Sequence, residues 1–171
     1  MRAKLGSALM VAALAMSCRR GARAGGALVD GAYAIQSETP LPSDPCGSPL
    51  QNTRVYDPKR ADPTSDGERR YVTVDTTSFV PLVLAAPPES REQPDGRRML
   101  EVALAQENVK KLEDFTREHL GGRIAVVLDD EIVSVHKIRT VIEGGRFQIT
   151  RCTDRACDRI LAKLLARDGG K

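Results

Sequence analysis

The sequence predicts an α+β fold: a small mixed or antiparallel sheet of about four to five strands packed on two helices, preceded by a signal peptide and a disordered tether. Three observations carry the prediction. Short runs such as Tyr71-Val72-Thr73-Val74 and Arg98 to Ala105 alternate with the period of two that half-buried strands need. Two segments, Gln106 to Leu120 and Thr153 to Leu165, instead repeat apolar residues at helical spacing. Glycine pairs and an acidic dipeptide separate these runs where the chain has to turn.

The chain opens MRAKLGSALMVAALAMSC, a short basic head (Arg2, Lys4) followed by an apolar run from Leu5 to Ala15. The run is shorter than the about 20 residues that span a bilayer and suits the core of a secretory signal. Leu14-Ala15-Met16-Ser17-Cys18 reads as a bacterial lipobox, which makes 1–18 the signal segment and Cys18 the lipid-carrying first residue of the mature chain. The match is imperfect, because the usual pattern prefers leucine at Ala15 and a smaller residue at Met16. Ala22-Arg23-Ala24 offers an alternative cleavage site that would release a soluble protein. The lipobox route places the protein in the bacterial cell envelope on the periplasmic side and the alternative leaves it soluble in the periplasm or secreted; on either route disulfides persist. The only membrane attachment expected is the anchor at Cys18.

With 171 residues, 41% hydrophobic and 29% charged, the chain has room for one domain plus tails. The formal net charge of +3 falls to about +1 without Arg2 and Lys4, so nothing calls for a nucleic-acid partner.

Residues 19–69 are rich in Gly, Pro, Ser, Asp and Arg and are expected to form a flexible tether. Ala27 to Ile35 permits a strand, but Pro40, Pro42, Pro45 and Pro49 argue against regular structure beyond it. The folded domain is expected over 70–167, with a frayed tail at 168–171. Its first strands are Tyr71 to Val74 and Phe79 to Leu84. A polar loop, ESREQPDG, leads to a strand at Arg98 to Ala105 whose Leu100, Val102 and Leu104 face the core. The helix from Gln106 to Leu120 buries Val109, Leu112 and Phe115, with Thr116 and His119 at the margin of that face. Pairs of opposite charge four residues apart (Glu107/Lys111, Lys110/Asp114, Glu113/Arg117) lie on its wet side. Gly121-Gly122 ends it. Arg123 to Leu128 and Glu131 to Val135 form a hairpin across Asp129-Asp130. Gly144-Gly145 precedes a last strand, Arg146 to Thr150. A helix opened by Thr153 then buries Ala156, Cys157, Ile160, Leu161, Leu164 and Leu165.

The order of these segments resembles the head of the large periplasmic domain of SecD, a membrane subunit of the bacterial protein-export machinery. QENVKKLEDFTREHLGGR, then IAVVLDDEIVS, then IEGGRFQIT and a Thr-started helix carry the resemblance, which covers about Met99 to Arg167. Two departures stand out. Asp129-Asp130 replaces an Asp-Gly turn, and a non-glycine residue in a left-handed turn costs on the order of 1 kcal/mol. Ala105 replaces a helix-capping Thr, which is worth about 1 kcal/mol. The family's transmembrane bundle, which uses the proton gradient, has no counterpart in these residues.

The resemblance also bears on Cys152 and Cys157. It places Thr153 as the helix cap, so that Cys152 precedes the cap and Cys157 is the fourth helical residue, two positions that touch in a hydrophobic staple. It therefore implies a Cys152–Cys157 disulfide. The alternatives are a bond from either one to Cys46, a metal site or a redox pair. The metal site would need ligands beyond His119 and His136, which form no obvious second pair, and the redox pair lacks the usual Cys-x-x-Cys spacing.

The resemblance implies a non-catalytic module that binds unfolded or translocating polypeptide, or export-complex subunits, with no cofactor. A structural lipoprotein unconnected with export is the alternative. A hydrolytic or metal-dependent enzyme is more remote, since no nucleophile–base pair, phosphate loop or zinc spacing accompanies the Asp129-Asp130-Glu131 cluster.

Overall fold

A computed structural model describes residues 26–41, 51–61, 65–152 and 154–168. It has eight strands in two antiparallel sheets and three helices. The larger sheet has five strands in the order β2 (Thr53–Tyr56), β3 (Arg70–Pro81), β1 (Gly31–Pro40), β6 (Arg123–Leu128) and β7 (Glu131–Lys137). The smaller has β4 (Glu89–Glu92), β5 (Arg98–Ala103) and β8 (Arg146–Cys152). The helices are α1 (Pro58–Ala61), α2 (Gln106–Glu118) and α3 (Asp154–Asp168). The class is the α+β expected, but the strands divide between two sheets. Among the described residues, no helix is long and apolar enough to cross a membrane.

β6 shows why the sheets pack as they do. Its sequence IAVVL is apolar at every position, so both of its faces must be buried. Ile124, Val126 and Leu128 join a core with Leu100, Val102, Leu112, Phe115, Ile149, Ile160 and Leu164, which come from the smaller sheet, α2 and α3. Ala125 and Val127 face the other way, into a second core with Tyr33, Tyr56, Val72, Val74 and Ile132. The larger sheet curls around that second core. Its end strands β2 and β7 approach each other, and the Tyr56 hydroxyl meets the backbone of Val135.

The tether expected over 19–69 is corrected here, because β1, β2 and α1 all lie within it. β1 occupies the middle of the larger sheet, pairing with β3 on one side and β6 on the other. Its Gly31 to Ala34 are buried, and Pro40 is tolerated because it is the last residue of the strand. The segment ESRE is likewise strand β4 rather than loop, paired residue for residue with β5. Pro94-Asp95-Gly96 makes the turn between them, with Gly96 at φ 72°. The two strands expected between Tyr71 and Leu84 are continuous as β3.

α2 is capped as the sequence suggests: Ala105 sits at the N-cap with no side-chain hydrogen bond. Two of the expected charge pairs form, Lys110–Asp114 at 2.5 Å and Arg117–Glu113 at 2.6 Å. Asn108 is buried on the inner face, whereas Val109 is half-buried. In α3, Cys157, Ile160 and Leu164 are buried and Leu161 packs against the core. Leu165 is 44% exposed, which corrects its assignment to the buried stripe.

Val109 lies beneath Gly145. A Cβ at Gly145 would fall 2.6 Å from a Val109 methyl, and the residue sits at φ 70°. Gly144, at φ 68°, has open space around its Cα. Gly144→Ala is therefore expected to cost about 1–2 kcal/mol from backbone conformation alone. Gly145→Ala adds overpacking and is expected to cost about 2–5 kcal/mol. Urea denaturation of the two variants measures the difference, and equal costs would refute the steric account.

Candidate functional site

The hairpin turn between β6 and β7 gathers charge from four other parts of the chain. Asp129 and Asp130 both adopt left-handed backbone, φ 50° and 62°, as a two-residue hairpin loop demands. That strain is offset by what the carboxylates hold. The Asp130 carboxylate accepts from the Leu28 N–H at 2.9 Å and from Arg54 Nε at 2.9 Å, and a terminal Arg54 nitrogen bonds to the same oxygen. The Asp129 N–H donates to Asp30 at 2.8 Å. Lys163, on α3, lies 3.3 Å from both Asp129 and Glu131, and Arg60, on α1, pairs with Glu131.

These groups line a surface pocket of about 620 Å³ formed by Arg54, Val55, Asp57, Arg60, Arg69, Asp129, Asp130 and Glu131. Its carboxylates each have a cation within reach, with Asp57 taken by Arg69 at 3.6 Å. The arrangement suits a structural clasp. It fastens the N-terminal strands and α3 to one hairpin, each exposed pair contributing modestly and the network more.

A second junction joins the sheets. The β5–β8 register shifts between Leu100 and Glu101, which leaves Ile149 outside the residue-for-residue pairing. The Ile149 carbonyl accepts from Ser134 Oγ at 2.6 Å and from His136 Nε2, both on β7. Bonding to a carbonyl assigns the His136 proton to Nε2. Burial holds the His136 imidazole below its ordinary pKa, and the bond to Ile149 opposes that shift. His119 instead ends α2, with Nε2 2.8 Å from Ser78 Oγ. One turn earlier on α2, the buried Thr116 hydroxyl donates to Leu112 O at 2.8 Å and accepts from Ile142 N–H at 3.0 Å. That contact holds the β7–β8 connection against the helix.

Of the residues singled out from the sequence, Asp129 and Asp130 meet at the clasp, and Gly144 and Gly145 lie apart, Gly145 against Val109 of α2. Cys157 is buried and disulfide-bonded. Cys18, Cys46, Thr153 and the side chain of Cys152 lie outside the described residues. The sequence reading did not identify Arg54, Arg60, Lys163 or Ser134, and it weighed His136 only as a metal ligand. The alternation of Ser134 and His136 along β7 was the available signal, since both polar groups reach the Ile149 carbonyl.

A two-sheet α+β module with its turn carboxylates neutralised by its own cations is the class that fold and site define. Residues 80–168, just over half of the chain, match the SecDF P1 head subdomain, and the protein belongs to that family. The protein translocase subunit SecD of Thermobaculum terrenum is 31% identical over 120 residues, 67% of this chain and 20% of that subunit. SecDF of Thermus thermophilus is 37% identical over 51 residues, 30% of this chain and 7% of that protein. A solved SecDF structure, described as a membrane component that enhances protein export, aligns with a TM-score of 0.42 at 29% identity, covering 48% of this chain and 37% of that one. SecDF in its super-membrane-facing form aligns at 0.43 and 27% identity, covering 54% and 13%. The chain thus spans one fifth of the length of the SecD subunit it matches. The family match begins at Val80, near the end of β3, so β1, β2 and α1 all precede it.

The His136 junction makes stability depend on pH. An unfolded imidazole titrates near about 6.5, and the folded one binds its proton less readily. The unfolded chain therefore takes up more protons as pH falls through that value, and stability drops. His136→Gln keeps a donor for Ile149 but cannot titrate. The urea midpoint of the parent is expected to fall more between neutral pH and about pH 5.5 than that of the variant. Equal falls would show that other groups carry the dependence.

Proposed function

We propose that this protein is a non-catalytic, SecD-head-like module of the cell envelope that engages polypeptides or subunits of the export complex, held at the membrane by a lipid on Cys18. The observation that carries this reading is the family match over residues 80–168, which takes in β4, β5, α2, the β6–β7 hairpin, β8 and α3. SecD is by name a protein translocase subunit, and a role in export for this chain follows from that kinship. The neutralised carboxylates of the clasp support binding over acid–base chemistry, because each is engaged in holding the fold.

Photo-crosslinking from exposed positions in cells is expected to trap export subunits or emerging chains. Recovery of the protein as an uncrosslinked monomer from every position would refute the export role.

The Cys152–Cys157 bond belongs to the same proposal. Cys157 Sγ lies 3.5 Å from the Arg98 carbonyl, and Arg98 is the β5 residue paired with Cys152. The helix thus brings Cys157 to the strand position beside Cys152. A bridge across so short a loop stabilises by about 2–3 kcal/mol. Non-reducing digestion with mass spectrometry should yield a Cys152–Cys157 peptide, and a Cys46 adduct of either would overturn the pairing.

A further inference from the structure

The path of the chain into the fold carries an orientation. Leu28 is bonded to Asp130, and the Gly26 carbonyl accepts from Arg54 at 3.4 Å, so the described chain enters at the clasp. β1 follows from Gly31, which leaves residues 19–25 between Cys18 and the clasp in place of the long tether that the sequence suggests. Eight Cα steps separate Cys18 from Gly26, a reach of at most about 29 Å. A domain of this size is about 37 Å across. An anchored chain cannot reach the membrane from the far side of its own domain, because the connection is shorter than the domain it would have to pass.

We propose that the clasp end of the molecule is a membrane-apposed face that contacts phospholipid headgroups, an inference that rests on lipidation of Cys18. The surface there has the chemistry for it. Val29 is 60% exposed and Val55 38%, two of the five large apolar residues exposed among those described. Val55 shares the pocket wall with the exposed cations Arg60 and Arg69, Lys59 adjoins Arg60, and Val29 lies between Leu28 and Asp30, both bonded to the turn. Asp57, Asp130 and Glu131 are recessed and ion-paired, and of the turn carboxylates Asp129 alone is mostly exposed, beside Lys163. Exposed valines rimmed by long cationic side chains fit the boundary between headgroups and water. Charge attraction to anionic lipid adds to the hold of the acyl chains on Cys18.

The test uses the full mature chain purified from membranes, with the mass of its N-terminus measured first. It is placed in nanodiscs of phosphatidylethanolamine and phosphatidylglycerol doped with a gadolinium-chelate lipid, and amide signals are followed by NMR. Loss of signal is expected at Lys59, Arg60 and Asp129 to Glu131. Gly121 and Gly122, at the opposite end of β6 about 20 Å away, should keep theirs. Lys59→Glu should lessen the loss at the turn while leaving the anchor in place. A diacylated Cys18 with greater loss at Gly121 and Gly122, or with equal loss everywhere, overturns the orientation and leaves the anchor standing. An unmodified N-terminus overturns the anchoring and the orientation that rests on it. Perturbation of the clasp amides in lipid-free solution as concentration rises would assign the face to a second copy instead.

Discussion

The structure depends on one strand that has no wet face. β6 buries five consecutive apolar residues, Ile124 to Leu128, and burying both sides of a strand requires a layer on each. On one side the smaller sheet and the two long helices supply that layer; on the other the larger sheet supplies it by curling over its own concave face. The small Ala125 beside Val127 leaves room there for the aromatic rings of Tyr33 and Tyr56. Tyr33 in turn stacks on Phe79 at 4.8 Å. Without the curl, Ala125 and Val127 would face water, and without the helices Ile124 and Leu128 would.

The two junctions follow from the same arrangement. Two sheets that share a core need something to fix their relative position, because apolar contacts are not directional. Ser134 and His136 provide direction by aiming at the one carbonyl that a register shift leaves outside the ladder. At the other end of β7, the Asp129-Asp130 turn does it with charge, reaching the N-terminal segment, β2, α1 and α3. A turn glycine would relieve the left-handed strain at Asp130 but would remove the carboxylate that holds both Leu28 and Arg54.

What the sequence made legible was local. α2 shows a helical apolar repeat and ends at glycine, and the β6–β7 hairpin joins strands two residues apart, so both can be read from neighbours along the chain. β1 cannot: Gly31 pairs with Val127 and Pro81, partners far away in sequence, and its own polar second half, QSETP, looks like loop. β4 is hidden for a related reason. All four of its residues are exposed, so burial leaves no pattern, and its cohesion comes from pairing with β5 and from Glu89 bridging Arg91 and Arg146. The clasp cations were unreadable for want of any rule linking Arg54 to Asp130 across the chain. The helix, hairpin and glycine positions that carry the family resemblance were the same ones that local pattern exposes.

The approach of β2 to β7 also governs how the protein behaves toward its own kind. Unpaired strand edges are templates for aggregation. In the larger sheet the two terminal strands lie against each other, and β8 turns its outer side to β7 through Ser134 and His136. Among the described residues the rim left open is β4, which is four residues long, charged at three of them, and preceded by Pro87 and Pro88. Such a rim offers little length for another chain to extend, and its ionic side chains resist a flat apolar neighbour. That edge chemistry protects the protein from fibril-like self-association wherever it is crowded.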